Sequence, residues 1–148
     1  MYLILKWLHI LSAVLAVGAN ATYFIWLRAS TQDKASTRFA LNGIERLEKL
    51  ANPAYGSLLL TGIAMLFAGE IRWTTPWVIS GIVLFIILGA LGGMAYTPAL
   101  KKQMALADKP DSAEYQAAQA RGYRVGYLIL LLAVIIEYLM TVKPTLWG

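Results

Sequence analysis

Hydrophobic positions in this chain gather into four long blocks, residues 3–27, 53–69, 77–96 and 126–142, each bounded by charge, tryptophan or proline. A bilayer core takes about 20 apolar residues of helix, with about 17 tolerated. Hydrocarbon offers backbone N–H and C=O groups no partner, so each block is expected to be α-helical. The pattern therefore predicts an all-α fold: an integral membrane, antiparallel four-helix bundle. The chain is too short for four spans and a separate soluble domain, so residues 1–148 are read as a single transmembrane domain.

The segments between the blocks carry a different pattern. Over residues 36–51, Phe39, Ala40, Ile44, Leu47 and Leu50 share one helical face, while Arg38, Asn42, Glu45, Glu48 and Lys49 share the other. This predicts either an amphipathic helix on the membrane surface or an extension of the second span. Pro53 then sits near the start of that span or kinks the junction. Lys109-Pro110-Asp111-Ser112 reads as a turn, with Asp111 and Glu114 spaced as a helix N-cap and its reciprocal partner. The last helix is expected from about Ser112 through Val142. Gly81, Gly89 and Gly93 form a small-residue stripe on the third span, and Ser57, Thr61, Ala64 and Ala68 one on the second. Both predict close helix contact.

Composition supports the membrane reading: 59% of residues are hydrophobic and 14% charged, where soluble domains carry about 25% charged residues. The net charge of +5 is unevenly placed. Arg28, Lys34, Arg38, Arg46 and Lys49 follow the first block, and Lys101, Lys102, Lys109, Arg121 and Arg124 precede the last. Only Lys6, Arg72 and Lys143 lie elsewhere. Ten against three is a positive-inside asymmetry. It predicts a multi-pass protein of a bacterial inner membrane, with loops 28–52 and 98–125 cytoplasmic and both termini outside. The basic excess is thus a topology signal and an attraction for anionic headgroups, and it has no aromatic-basic surface of the kind that reads nucleic acid. Aromatic belts agree. Tyr2, Trp7, Trp73, Trp77, Tyr138 and Trp147 map to the outer interface, and Tyr23, Trp26, Tyr96, Tyr123 and Tyr127 to the inner one. Ala19-Asn20-Ala21 has the form of a signal-peptide cleavage site, but Lys6 and His9 interrupt the run before it and residues 23–27 continue the run after it.

Candidate chemistry is sparse. The chain has no cysteine and one histidine, which removes disulfides, thiolate metal sites and multi-histidine zinc sites within one protomer. Ionisable groups inside a span are costly and usually functional. His9 lies six residues into the first block, about 9 Å deep at 1.5 Å per residue, and Glu137 lies at similar depth in the fourth. If these helices adjoin, a His9–Glu137 hydrogen bond is expected. Lys6, His9, Ala13, Ala16 and Asn20 occupy one narrow sector of the first helix. The plain reading is an interhelical hydrogen-bond network. The sharper one makes His9 a haem axial ligand or proton carrier, with Lys6, Asn20 and Glu137 around it.

The run Leu5-Lys6-Trp7-Leu8-His9-Ile10-Leu11, with Gly18 after it, resembles the first helix of the small bacterial membrane proteins related to HemJ. Glu45-Arg46-Leu47, Pro53 and Val142-Lys143-Pro144 extend the likeness over most of the chain. That family contains a protoporphyrinogen oxidase binding haem b, with a first-helix histidine implicated in ligation. The resemblance implies haem b as cofactor and His9 as the protein ligand to its iron. Over 77–96 the chain lacks the further polar residues, including a lysine, that the enzymes carry in their third helix, which argues against porphyrinogen oxidation. It is more similar to an uncharacterised family of bacterial inner-membrane proteins of like length, sharing Lys6, His9 and the Lys143-Pro144 ending. The specific function expected is a haem-binding or redox-accessory role. Bis-histidine ligation would require a homodimer.

Two other classes remain. One is a structural or assembly subunit of a larger membrane complex without chemistry of its own. The other is a small proton-coupled transporter using Glu137, whose position away from the midplane counts against it. The topology expectation is directly testable. Reporter fusions at the two chain ends should both register outside the cytoplasm, with reporters in loops 28–52 and 98–125 inside; ends on opposite faces would overturn the map.

Overall fold

The computed structural model describes residues 1–29 and 33–146. The chain is a bundle of helices: α1 (Tyr2–Ala29), α2 (Lys34–Ala68), α3 (Pro76–Leu91), α4 (Thr97–Ala105) and α5 (Ala113–Val142). A π-helical turn, Gly92–Tyr96, joins α3 to α4, so that Pro76–Ala105 runs as one rod. Four rods are long and apolar enough to cross a membrane, with mean hydropathy between 1.4 and 2.4. Leu3, Ile25, Leu60, Phe67, Ile86 and Leu131 are each more than half exposed. Water would not tolerate that apolar surface on all sides; hydrocarbon does.

The rods pair as two hairpins. One is α1 with α2; the other is α3, the π-turn and α4 with α5. The hairpins join through α1 against α5 and α2 against α4. Among the described residues, no Cα of α1 or α2 lies within 8 Å of one in α3. The bundle is therefore closed at the end where α1 leads into α2 and α4 into α5, and open between α2 and α3. The closed end carries the ten clustered lysines and arginines and is called the basic end below. Gln119 of α5 donates from Nε2 to the Leu27 carbonyl at 3.2 Å, satisfying a last-turn acceptor that the helix itself leaves open. Arg38 of α2 pairs with Asp108 after α4. This exposed pair orients the loop and contributes little to stability.

Several local expectations resolve here. Residues 36–51 are the first half of α2, continuous with the second span, and the helix passes through Pro53. The α5 cap is Ser112, whose Oγ accepts from the Tyr115 N–H at 3.2 Å; Asp111 is not the cap. The opposite terminus of α5 ends on Lys143, in the left-handed region at φ 52°, with its Nζ 5.2 Å from the Trp77 ring centroid. Tyr23 and Tyr96, expected in an interfacial belt, are instead buried, 6% and 4% exposed. Trp7, Trp73, Tyr127 and Tyr138 do lie on the surface, and Trp147 is outside the described residues.

The glycine stripe of α3 divides. A Cβ at Gly81 would collide with the Met140 side chain, so this glycine does admit close contact with α5. At Gly89, Gly92 and Gly93 a Cβ would meet nothing within 4 Å. The expected tight approach at Gly89 and Gly93 is therefore absent, because no helix packs on that face. The two cases should respond oppositely to substitution. Gly81→Leu should destabilise the detergent-solubilised protein by about 1–3 kcal/mol through overpacking, whereas Gly89→Ala should stabilise it by about 0.5–1 kcal/mol through lost backbone entropy. Chemical denaturation curves would show both signs.

Candidate functional site

The α1–α2 interface is a seam of paired polar groups. His9 Nδ1 lies 3.0 Å from Thr61 Oγ1, Ser12 donates to Ser57 Oγ at 2.8 Å, and Asn20 Nδ2 donates to the Tyr55 hydroxyl. Such bonds between membrane helices contribute roughly 0.6–2 kcal/mol each. Between the rungs, aromatic rings of α1 settle on glycines of α2. Trp26 covers Gly43, His9 covers Gly62 and Tyr2 covers Gly69, each within 3.1 Å of where a Cβ would stand. Of the predicted small stripe of α2, Ser57 and Thr61 make the expected helix contact.

Thr61 also donates its one hydroxyl proton to the Ser57 carbonyl at 2.6 Å. In the tautomer with its proton on Nδ1, His9 donates to the Thr61 oxygen and Nε2 carries the lone pair. Lys6 is exposed, and Glu137 is exposed on α5 with no ion-pair partner within 4 Å among the described residues. The structure brings His9 together with Thr61 and Asn20 with Tyr55; it does not bring His9 to Glu137. The reason is topological: α1 meets α5 at the basic end, through Phe24 stacked on Tyr127 at 4.2 Å and Gln119 on Leu27, far from both residues.

A feature with more chemical content lies elsewhere. A cavity of about 330 Å³ opens between the two hairpins toward the basic end. Tyr23, Tyr55, Tyr96, Phe24 and Phe85 supply its aromatic wall, and Asn20, Asn52, Thr97 and Glu48 its polar groups. Gly89, Gly92 and Gly93 form a bare side where backbone faces open space. Tyr23 stacks on Tyr96 at 5.7 Å between centroids. Tyr55 reaches Phe85 at 6.1 Å, so these two rings span the opening between α2 and α3.

Sequence creates this space locally. Pro98 has no N–H to continue the helical ladder, and the Thr97 N–H reaches back five residues to the Gly92 carbonyl. The widened π-turn carries two glycines and turns Tyr96 inward. Tyr96 is 4% exposed, lines the cavity, and its hydroxyl has no hydrogen-bond partner. A buried polar group left unpaired costs about 1–3 kcal/mol. π-Bulges of this kind recur at functional positions.

A second, smaller space of about 180 Å³ adjoins it at the basic end, sharing Glu48, Asn52 and Thr97 and edged by Glu45, Lys49 and Lys101. Glu48 stands where the two meet, in the part of α2 that precedes the apolar span. Burial, with Glu45 beside it, holds the Glu48 carboxyl above the ordinary carboxylate range, and Lys101 draws it partly back. Lys49 is engaged with Glu45 at 3.3 Å. Among the described residues no cation lies within 4 Å of Glu48. Its charge also acts on the Tyr23 and Tyr96 hydroxyls.

Of the cavity residues, Asn20 alone is a sequence-predicted site residue. Glu48 looked like one of many solvated charges, and Tyr23 and Tyr96 like belt residues. The available signal was the glycine cluster at 89–93 followed by Tyr96 and Pro98.

Among the described residues no group of three or more histidine, cysteine, aspartate or glutamate side chains could hold a bare metal ion. No curated protein and no solved structure matches the chain. A family model does match, over residues 3–144, and it describes a predicted integral membrane protein family, DUF2269. With a match of that extent and four apolar rods in the structure, the chain belongs to this family of predicted integral membrane proteins.

Proposed function

We propose that this protein binds a small amphipathic molecule in the cavity between its hairpins. The carrying observation is the unfilled space itself, with five aromatic rings on one side and a bare glycine wall on the other, bordered by Tyr96, whose hydroxyl is buried without a partner. A fold with no use for that space would fill it with side chains and leave phenylalanine at position 96. A ligand fills the space, and the aromatic wall takes its apolar body. The volume lies at the lower edge of the roughly 300–1,000 Å³ range of ligand pockets, which selects a compact occupant. Access runs laterally from hydrocarbon past Tyr55 and Phe85, and axially through the space beside Glu48. The charge asymmetry supports a basic end on the cytoplasmic side of a bacterial inner membrane, and in that orientation the axial route faces the cytoplasm.

The state of His9 favours a second reading, in which the chain holds haem b. A free Nε2 with Nδ1–H fixed by a second group is the form a metal-ligating imidazole takes. His9 would then be the axial ligand, Thr61 would orient it, and a second histidine would have to come from another copy of the chain. Haem in that position would supply electron transfer. The side-chain-free Gly62 beneath the ring leaves the imidazole room.

The two readings separate by experiment. For the cavity, Tyr96→Phe should raise the stability of the empty protein by about 1–3 kcal/mol. The bulky pair Gly89→Leu and Gly93→Leu should abolish saturable binding of compact aromatic probes, here phenyltrimethylammonium and its neutral isostere tert-butylbenzene, while the protein stays folded. Failure of the native protein to bind either probe would overturn the cavity reading. For haem, protein purified from haem-replete cells should show a Soret band that vanishes in His9→Ala and weakens in Thr61→Val. A colourless native preparation would rule it out.

A further inference from the structure

We propose that the cavity's occupant is a compact organic cation, a protonated amine or quaternary ammonium group on a flat apolar body. This deepens the reading of the cavity as a binding site and rests on it. The cavity sits at the end of the molecule crowded with lysine and arginine, in a chain with 13 basic and 8 acidic side chains. Yet its wall contains neither lysine nor arginine, and the one formally charged side chain among its lining residues is Glu48. An anionic ligand would find no cationic donor there and would meet a carboxylate. A neutral ligand would leave that carboxylate half-buried and uncompensated.

A cation answers both. Five aromatic rings line the space, and their faces attract a positive charge, most strongly where water is excluded. Glu48 supplies the counter-charge. The groups that bear on it are known from every side. Glu45 and Lys49 stand on its own helix, Tyr23 on α1, Lys101 on α4 and Tyr96 on the π-turn. Lys49 is engaged by Glu45, and Lys101 acts at longer range than an ion pair. The carboxylate therefore remains open to a ligand. The Tyr96 ring adds its face to the aromatic wall, and the bare wall at Gly89, Gly92 and Gly93 receives a flat body. Because burial disfavours the charged carboxylate, a bound cation and a bound proton compete for Glu48.

Phenyltrimethylammonium and tert-butylbenzene have nearly the same shape and differ in charge. Equilibrium binding of each to the full-length, detergent-solubilised protein tests the proposal. The cation should bind at least about tenfold more tightly. Its affinity should rise as pH increases from about 4 to about 8, through the titration of a carboxyl held above its usual range, while the neutral probe's stays flat. Glu48→Gln should erase both the preference and the pH dependence. Equal binding of the two probes, or a preference that survives Glu48→Gln, would overturn the cation assignment and leave the cavity reading standing. Binding of neither probe would remove the cavity reading and this one together. The pH arm uses the native chain, so it decides the question even where Glu48→Gln fails to fold.

Discussion

Hydrocarbon accepts no hydrogen bonds, and most of this structure follows from where its polar atoms go in consequence. The α1–α2 hairpin shows the constraint satisfied. His9, Ser12 and Asn20 of α1 turn toward one interface and find partners there in Thr61, Ser57 and Tyr55 of α2. The glycines of α2 let α1 approach closely enough for those short side chains to meet. Neither half works alone. Short polar groups bridge helices only at close range, and glycine packing in lipid has no hydrophobic drive behind it. In the second hairpin the Gly81–Met140 fit and Lys143 over Trp77 join the two arms, while ring stacking ties it to the first hairpin.

Fold class was legible because it depends on block length and charge, both of which are local. Span positions and the start of α5 near Ser112 followed from the same information, whereas residues 36–51 read equally as a surface helix or an extension of the second span, and the structure shows the latter. Lateral arrangement did not follow. Counting residues puts His9 and Glu137 at one depth, but depth along an axis says nothing about which rods touch. Here His9 faces α2 and Glu137 faces lipid. The glycines misled for a related reason. A small residue permits close approach without requiring it, so Gly81 and Gly89 look alike in sequence and differ only by what stands opposite. Tyrosine has the same ambiguity, since an amphipathic ring suits an interface and a wet cavity equally well.

The cavity exists because the two hairpins touch at one end and diverge toward the other. α3 stays clear of α1 and α2, and the gap is crossed by two long side chains, Tyr55 and Phe85, rather than closed by backbone contact. Tyr55 also belongs to the polar seam, where it accepts from Asn20. One residue thus links the packing of the first hairpin to the lateral opening of the cavity. A ligand passing that opening must move a side chain whose hydroxyl is held by α1, which couples entry to the seam.

The π-turn is where stability and use of the site diverge. An unbroken α-helix through residues 92–96 would recover a regular hydrogen-bond ladder and rotate Tyr96 away from its present position. Pro98 prevents the regular ladder, Gly92 and Gly93 tolerate the wider one, and the result sets the Tyr96 ring in the aromatic wall of the cavity with its hydroxyl buried and unpaired. Each of these choices costs folding free energy taken alone: glycine inside a helix, a ladder bond lost to proline, a buried donor left idle. They converge on one wall of one cavity. The polar groups of the α1–α2 seam are paired, and the other buried orphan among the described residues, Gln103 Oε1 of α4, lies off the cavity lining. What distinguishes a built site from an incidental gap between hairpins is therefore not the orphan alone but its coincidence with the π-turn, the glycine wall and Glu48.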